Sequence, residues 1–195
     1  MKRLLLSCLV AGAIAVPAWA AIEEGTAAPL FKTQASLAGK PFTYDLKDAL
    51  KKGPVVVYFY PSAYTGGCNI QAHDFAEKLD KFADAGATVV GVSLDNIERL
   101  NDFSADPQYC AGKLPVASDA DGKIAQSYGL AIRDAQEGKK DTRGVDIKHG
   151  FAERTTFIVT PDGKVAAKIG GLAPADNVKQ ALAAVQDIAD EQDEE

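Results

Sequence analysis

Three observations predict an α/β fold, with helices on both faces of a mixed central sheet. The runs Pro54–Tyr60 and Thr88–Leu94 are continuously apolar and rich in β-branched residues, the pattern of strands buried on both faces. Between them Phe75, Leu79 and Phe82 recur at helical spacing. Late in the chain, Pro161-Asp162-Gly163 separates two further apolar runs and signals a hairpin.

The remaining elements follow in order. Leu30–Tyr44 reads as an N-terminal hairpin turning near Ala38-Gly39-Lys40. The first long helix is expected from about Cys68 to Ala85, stopped by Gly86. After the Thr88–Leu94 strand, Asp95 is expected to cap a short helix, with Glu98 completing a capping box. Pro107 ends that helix, and Cys110 lies beyond it in a Gly-containing loop. Leu114–Ala117 suggests a brief strand, and Asp121–Tyr128 a helix stopped by Gly129. Ala131–Glu153 is polar and charged and reads as an excursion outside the core. Arg154–Thr160 and Lys164–Ile169 form the late hairpin, and Pro174 opens an amphipathic helix carrying Val178, Leu182 and Val185. No repeat or linker interrupts this order, which predicts one domain over residues 21–195.

Residues 1–20 read as a removable export signal. Lys2 and Arg3 precede an apolar run, Leu4–Val16, and Ala18-Trp19-Ala20 supplies a small-x-small cleavage site before Ala21. That run is short for a bilayer span and no second one follows. The expectation is therefore an exported, periplasmic protein without stable membrane insertion. Its loss takes the basic residues from 21 to 19 against 27 acids, moving the formal net charge from −6 to −8. An excess of that sign disfavours nucleic acid and anionic membranes as partners. The tail Asp187–Glu195 reads as a solvated, fraying end. Cys8 leaves with the signal, so Cys68 and Cys110 remain, an even pair for an oxidising compartment.

Cys68 follows a buried strand and is expected in the first turn of a helix. Unpaired N–H groups and the helix dipole favour an anion there. A free thiol titrates near 8.5, and a setting of this kind can lower that value. Three residues earlier a dithiol exchanger would carry a second cysteine; here stands Thr65, which can hydrogen-bond a small oxygen-containing substrate but cannot form a disulfide. A buried, inert Cys68 is the alternative on these residues alone.

Pro61, Thr65 and Cys68 match the Pro-x-x-x-Thr-x-x-Cys motif of the peroxiredoxins. Arg154-Thr-Thr-Phe-Ile-Val-Thr-Pro-Asp-Gly resembles that family's late strand with its active-site arginine, and Ser118-Asp-Ala-Asp-Gly-Lys with Tyr128-Gly129 resembles its middle region. The resemblance runs from about Gly25 to Ile169. It implies a thioredoxin-like fold and a thiol peroxidase acting on hydrogen peroxide or organic hydroperoxides without a bound cofactor or metal. Cys68 would be the peroxidatic cysteine, Thr65 would bond the peroxide, Arg154 would stabilise the thiolate and the polarising O–O bond, and Pro61 would shield the cysteine. Electrons would come from an external thiol reductant of thioredoxin-like type, and the protein is expected as a monomer or weak dimer. Where many members carry Pro after the threonine, this chain has Gly66-Gly67, expected to loosen the loop; where many carry Glu, it has Gln71, which can bond Arg154 but brings no charge.

The similarity is greatest to the Q-type, or bacterioferritin-comigratory, group. By that likeness Cys110 would be the resolving cysteine, forming an intramolecular disulfide after local unwinding; the position five residues after Cys68, where other members place it, is His73. A permanent structural staple and an idle Cys110 stay open. Two wider alternatives also stay open: a thioredoxin-fold disulfide oxidoreductase or thiol donor, and a non-enzymatic disulfide-stapled binding protein. His73 and His149 lack metal-ligand spacing and read as surface or loop residues. Lys139, Lys140, Arg143 and Lys148 read as a solvated basic cluster.

Overall fold

The chain enters its fold through a hairpin of β1 (Lys32–Leu37) and β2 (Lys40–Asp45). Leu37 pairs with Lys40 across a two-residue turn in which Ala38 and Gly39 both hold positive φ, the geometry that matches strand twist. Asp45 then caps α1 (Leu46–Ala49), accepting from Lys47 N at 3.0 Å, and a 3-10 turn runs over Leu50–Lys52. This turn and helix are too short to show in periodicity. The computed structural model describes residues 22–193; the export signal expected over residues 1–20, its expected cleavage point before Ala21, and Cys8 lie outside the described residues.

The core elements follow as β3 (Val55–Phe59), α2 (Gly66–Asp84), β4 (Thr88–Ser93), α3 (Ile97–Ala105), β5 (Val116–Ser118) and α4 (Lys123–Ser127). A small ladder, β6 (Ile132–Arg133) with β7 (Phe151–Ala152), brackets the polar segment. The chain finishes with β8 (Thr155–Val159), β9 (Val165–Gly170) and α5 (Pro174–Asp193). The main sheet has the order β2-β1-β5-β4-β3-β8-β9. Its centre is parallel, β3 with β4 and β4 with β5, and its flanks are antiparallel. This is the thioredoxin-like α/β fold, with a mixed sheet as the sequence predicts.

Alternation along β3 divides the core in two. Val56, Tyr58 and Tyr60 pack toward α2, α3 and α5, whereas Val55, Val57 and Phe59 pack toward α1 and α4. All five residues of β3 are buried, which explains why its sequence shows no polar alternation.

Three expectations need correcting. Asp95 does not cap α3; Asn96 does, accepting from Arg99 N at 2.9 Å, because the Asp95 carboxylate is buried among other donors. The acidic end is solvent-exposed at Asp187, Asp190 and Glu191 as expected, but it is helical through Asp193. Ala131–Glu153 is not a detached excursion, since it contributes Ile147, Phe151 and Ala152 to the interior.

Candidate active site

The site forms where β3 hands the chain to α2. Thr65 is the N-cap residue of α2 in extended conformation, yet its hydroxyl donates backwards to the Ser62 carbonyl at 2.8 Å rather than capping the helix. The N–H groups of the first turn therefore keep no side-chain acceptor, and Cys68 is the third residue of that turn. Its sulfur lies where the partial positive charge of the helix end is concentrated. Cys68 is only 2% exposed.

Strand register brings the arginine to it. β8 runs antiparallel to β3 with Phe59 opposite Thr155, so Arg154 sits at the end of β3 from which the loop to Cys68 departs. Its Nη2 donates to Cys68 Sγ at 3.3 Å, and its Nη1 donates to Gln71 Oε1. Gln71 is held in turn. Its Nε2 donates to Asn177 Oδ1 at 2.9 Å; Thr156 Oγ1 donates to the same oxygen at 2.6 Å, and Asn177 Nδ2 donates to Ile169 O at 3.0 Å. Gln71, Thr156 and Asn177 are all fully buried. A closed amide network thus fixes the guanidinium without a second charge.

The two glycines are helical residues rather than loop residues. A Cβ on Gly66 would meet nothing within 4 Å, whereas one on Gly67 would lie 3.2 Å from both Arg154 Nη2 and Pro174 Cγ. Gly67 is therefore the clearance through which Arg154 approaches the sulfur.

Cys110 occupies the turn after α3 and is completely buried; its carbonyl accepts from Lys113 N at 2.9 Å and Leu114 N at 3.1 Å. Cys68 and Cys110 are free thiols within one apolar cluster. Burial, and secondarily Asp106, push the Cys110 thiol far above its ordinary value, so in this conformation it stays protonated. Tyr58 lies in the same cluster, stacked on Phe75 at 4.4 Å and on Tyr60 at 5.3 Å. Burial first, then the neighbouring Cys110 and Cys68, hold its phenol protonated. Gly91 makes room for that ring, since a Cβ there would stand 2.5 Å from the Tyr58 hydroxyl.

A second set of residues, unrecognised in the sequence, holds the Pro61–Thr65 loop. Ala63 N donates to Asp95 Oδ2 at 2.8 Å and Ser62 Oγ to Oδ1 at 3.0 Å. Arg99 pairs with Asp95 at 2.8 Å and with Asp141 at 2.9 Å, and its Nη2 also donates to Ala63 O at 2.8 Å. Thr142 donates to the Tyr64 carbonyl through N at 2.8 Å and through Oγ1 at 2.9 Å. The Arg143 guanidinium lies 3.3 Å from the centre of the Tyr64 ring. Arg143 stays exposed, in keeping with its solvated reading, yet its guanidinium covers the Tyr64 ring; His149 lies in a loop as expected but is partly buried against Asp95, because the segment between β6 and β7 folds over the loop. His73 is exposed as expected, with Nδ1 3.1 Å from Gln108 O.

A cleft of about 280 Å3 opens at Thr65 and Pro61, lined also by Arg133, Gln136, Lys139 and Phe151. The structure therefore brings Arg154 into contact with both Cys68 and Gln71, sets Thr65 and Pro61 at the mouth, and leaves Cys110 behind in the core. Thr156 and Asn177 carried no sequence signal.

The sequence profile of the AhpC/TSA family matches residues 25–168. A putative peroxiredoxin of Mycobacterium tuberculosis is 40% identical over 111 residues, 57% of this chain and 64% of that protein. The chain thus spans slightly less than two thirds of that relative's length. The crystal structure of peroxidoxin BcpB from Mycobacterium tuberculosis superposes with a TM-score of 0.72 at 28% identity, covering 86% of this chain and 98% of the other. A Xanthomonas campestris bacterioferritin comigratory protein, described for its alkyl peroxide reduction activity, superposes with a TM-score of 0.63 at 27% identity, covering 80% and 91%.

Proposed function

Because the chain belongs to the AhpC/TSA family, we propose that it is a thiol-dependent peroxidase with Cys68 as the attacking residue. The contact of Arg154 Nη2 with Cys68 Sγ at 3.3 Å carries this reading. A guanidinium there meets the charge that develops on the peroxide during the reaction.

The Cys68 thiolate attacks the terminal peroxide oxygen; an S–O bond forms as the O–O bond breaks. The released alkoxide or hydroxide takes a proton and leaves as alcohol or water. Sulfur is oxidised by two electrons to the sulfenic acid. The Thr65 hydroxyl has its hydrogen committed to Ser62 O, so toward the cleft it acts as an acceptor and orients a peroxide O–H.

Cys110 then resolves the sulfenic acid. Released from burial by unwinding of the first turn of α2, it loses its proton and displaces hydroxide from the Cys68 sulfur, giving a disulfide and water. An external dithiol of thioredoxin-like type exchanges with that disulfide, is itself oxidised, and returns both thiols. Hydrogen peroxide and alkyl hydroperoxides are the proposed substrates. The basic, apolar and small-residue pattern of residues 1–20 supports an exported, periplasmic site of action.

Stopped-flow peroxide consumption tests the scheme. Cys68→Ser is expected to abolish it, and Cys110→Ser to preserve the first oxidation while ending reductant-driven turnover. Normal turnover in the Cys68 variant overturns the proposal.

A further inference from the structure

Asp95 leaves the C-terminal end of β4 with a side chain that is 0% exposed. Besides Ser62, Ala63 and Arg99, it receives Ser93 Oγ at 2.7 Å and faces His149 Nε2 at 2.8 Å. The other ring nitrogen of His149 faces Gly150 O at 2.7 Å. A neutral imidazole has one N–H and one lone pair, so it satisfies one of these acceptors and repels the other. Only the imidazolium serves both. The ring is reached by solvent through a cleft of about 350 Å3 that it shares with Arg99, Asn96, Val145, Asp146 and Lys148.

We infer that His149 is a positioning residue for the peroxide step: its imidazolium pins Asp95, and Asp95 sets the loop Pro61–Thr65 beside Cys68. The inference rests on the thiol-peroxidase reading and adds a residue to it. The path is short and continuous, from His149 to the carboxylate, and from the carboxylate to Ser62 Oγ and Ala63 N. Thr65 follows in the same loop and occupies the N-cap position of α2 without a side-chain cap bond. When the ring loses its proton, one acceptor faces a lone pair, and the carboxylate that orients two loop residues loses one of its partners, keeping Arg99 and Ser93.

The surrounding charges divide in sign. Asp95 favours the charged ring, while Arg99 from α3 opposes it and is itself paired with Asp141. Asp146 and Lys148 share the cleft on the ring's own segment, and Arg133 stands opposite Phe151 on the neighbouring strand. Burial opposes protonation most, but the Asp95 hydrogen bond and charge, with the Gly150 carbonyl, together hold His149 above its ordinary 6.5.

The test is the rate of Cys68 oxidation per thiolate, with the thiolate fraction measured separately at each pH. In the wild type this rate should fall by roughly tenfold as pH rises through the His149 titration, less than the loss expected for an ångström of misplacement. His149→Gln, which keeps an amide donor but cannot titrate, should show no such step. In the full chain carrying Cys68→Ser, the Ala63 amide signal in NMR should titrate together with the imidazole. An unchanged step in His149→Gln, or an Ala63 amide indifferent to the ring, overturns the inference. If peroxide never oxidises Cys68, the peroxidase reading fails instead, and the Ala63 titration still decides the coupling.

Discussion

Gly67 and Arg154 meet across the first turn of α2: a Cβ at Gly67 would stand 3.2 Å from the same Nη2 that reaches the Cys68 sulfur at 3.3 Å. The absence of a side chain at one position sets the approach of a charge to another. Gly67→Ala should therefore separate two properties. Alanine favours the helix over glycine by about 1 kcal/mol, yet its methyl displaces the guanidinium or Pro174. Peroxide oxidation of Cys68 should slow by at least roughly tenfold with little loss of stability. Gly66→Ala, in open space, is the comparison. Equal oxidation rates in the two variants would rule out the clearance argument.

Arg154→Lys should retain charge but lose function. One ammonium cannot present two fixed donors in a plane, to Cys68 and to Gln71, as the guanidinium does. Single-turnover oxidation should fall by about a hundredfold or more, the scale of losing one preorganised donor. A rate within twofold of wild type would contradict the assignment.

Asn177→Ala removes a buried amide on which Gln71, Thr156 and the Ile169 carbonyl all depend. Leaving those groups unsatisfied should destabilise the protein by about 3 kcal/mol. Urea unfolding measures this directly. Because Gln71 also loses its support, the oxidation rate should fall in the same variant, although Asn177 touches neither sulfur nor arginine.

The Asp95–His149 pair gives stability a defined pH window. Burial pushes the Asp95 carboxyl up, but the His149 hydrogen bond and charge, with Ala63 N and Ser93, outweigh it and hold Asp95 below its ordinary 3.8. That contribution is whole above 3.8 and is lost as pH falls through the depressed value. His149 is raised above 6.5, so its contribution is whole below 6.5 and is lost as pH rises through the raised value. The pair stabilises most between pH 3.8 and 6.5. Urea midpoints should plateau there and decline on the alkaline side, and the alkaline decline should disappear in His149→Gln. An alkaline decline identical in both proteins would refute the pairing.

The strands and the long helices are legible in the sequence because burial on both faces and helical spacing are local patterns. Cys68, Thr65 and Arg154 are legible through motif resemblance, and the antiparallel register of β3 and β8 gives their meeting a physical cause. The supports are not legible. His149 reaches Asp95 across 54 positions and Thr142 reaches Tyr64 across 78, separations at which no local pattern survives. Asp95 itself satisfies the capping rule as written; burial, which the rule does not contain, transfers the cap to Asn96. A polar segment can read as solvated although its polar groups have partners elsewhere in the chain, as Asp141 has in Arg99 and Arg143 in the Tyr64 ring.

Tyr64 holds φ at 58°, a conformation unfavourable for a bulky L residue, and its carbonyl takes two hydrogen bonds from Thr142. The reactive loop is thus braced by a stretch of chain that touches neither sulfur. Lengthening or shortening the sequence between Arg133 and Phe151 would retune reactivity while every residue in contact with Cys68 stayed the same. For engineering, that stretch is a control knob rather than a tolerant insertion point.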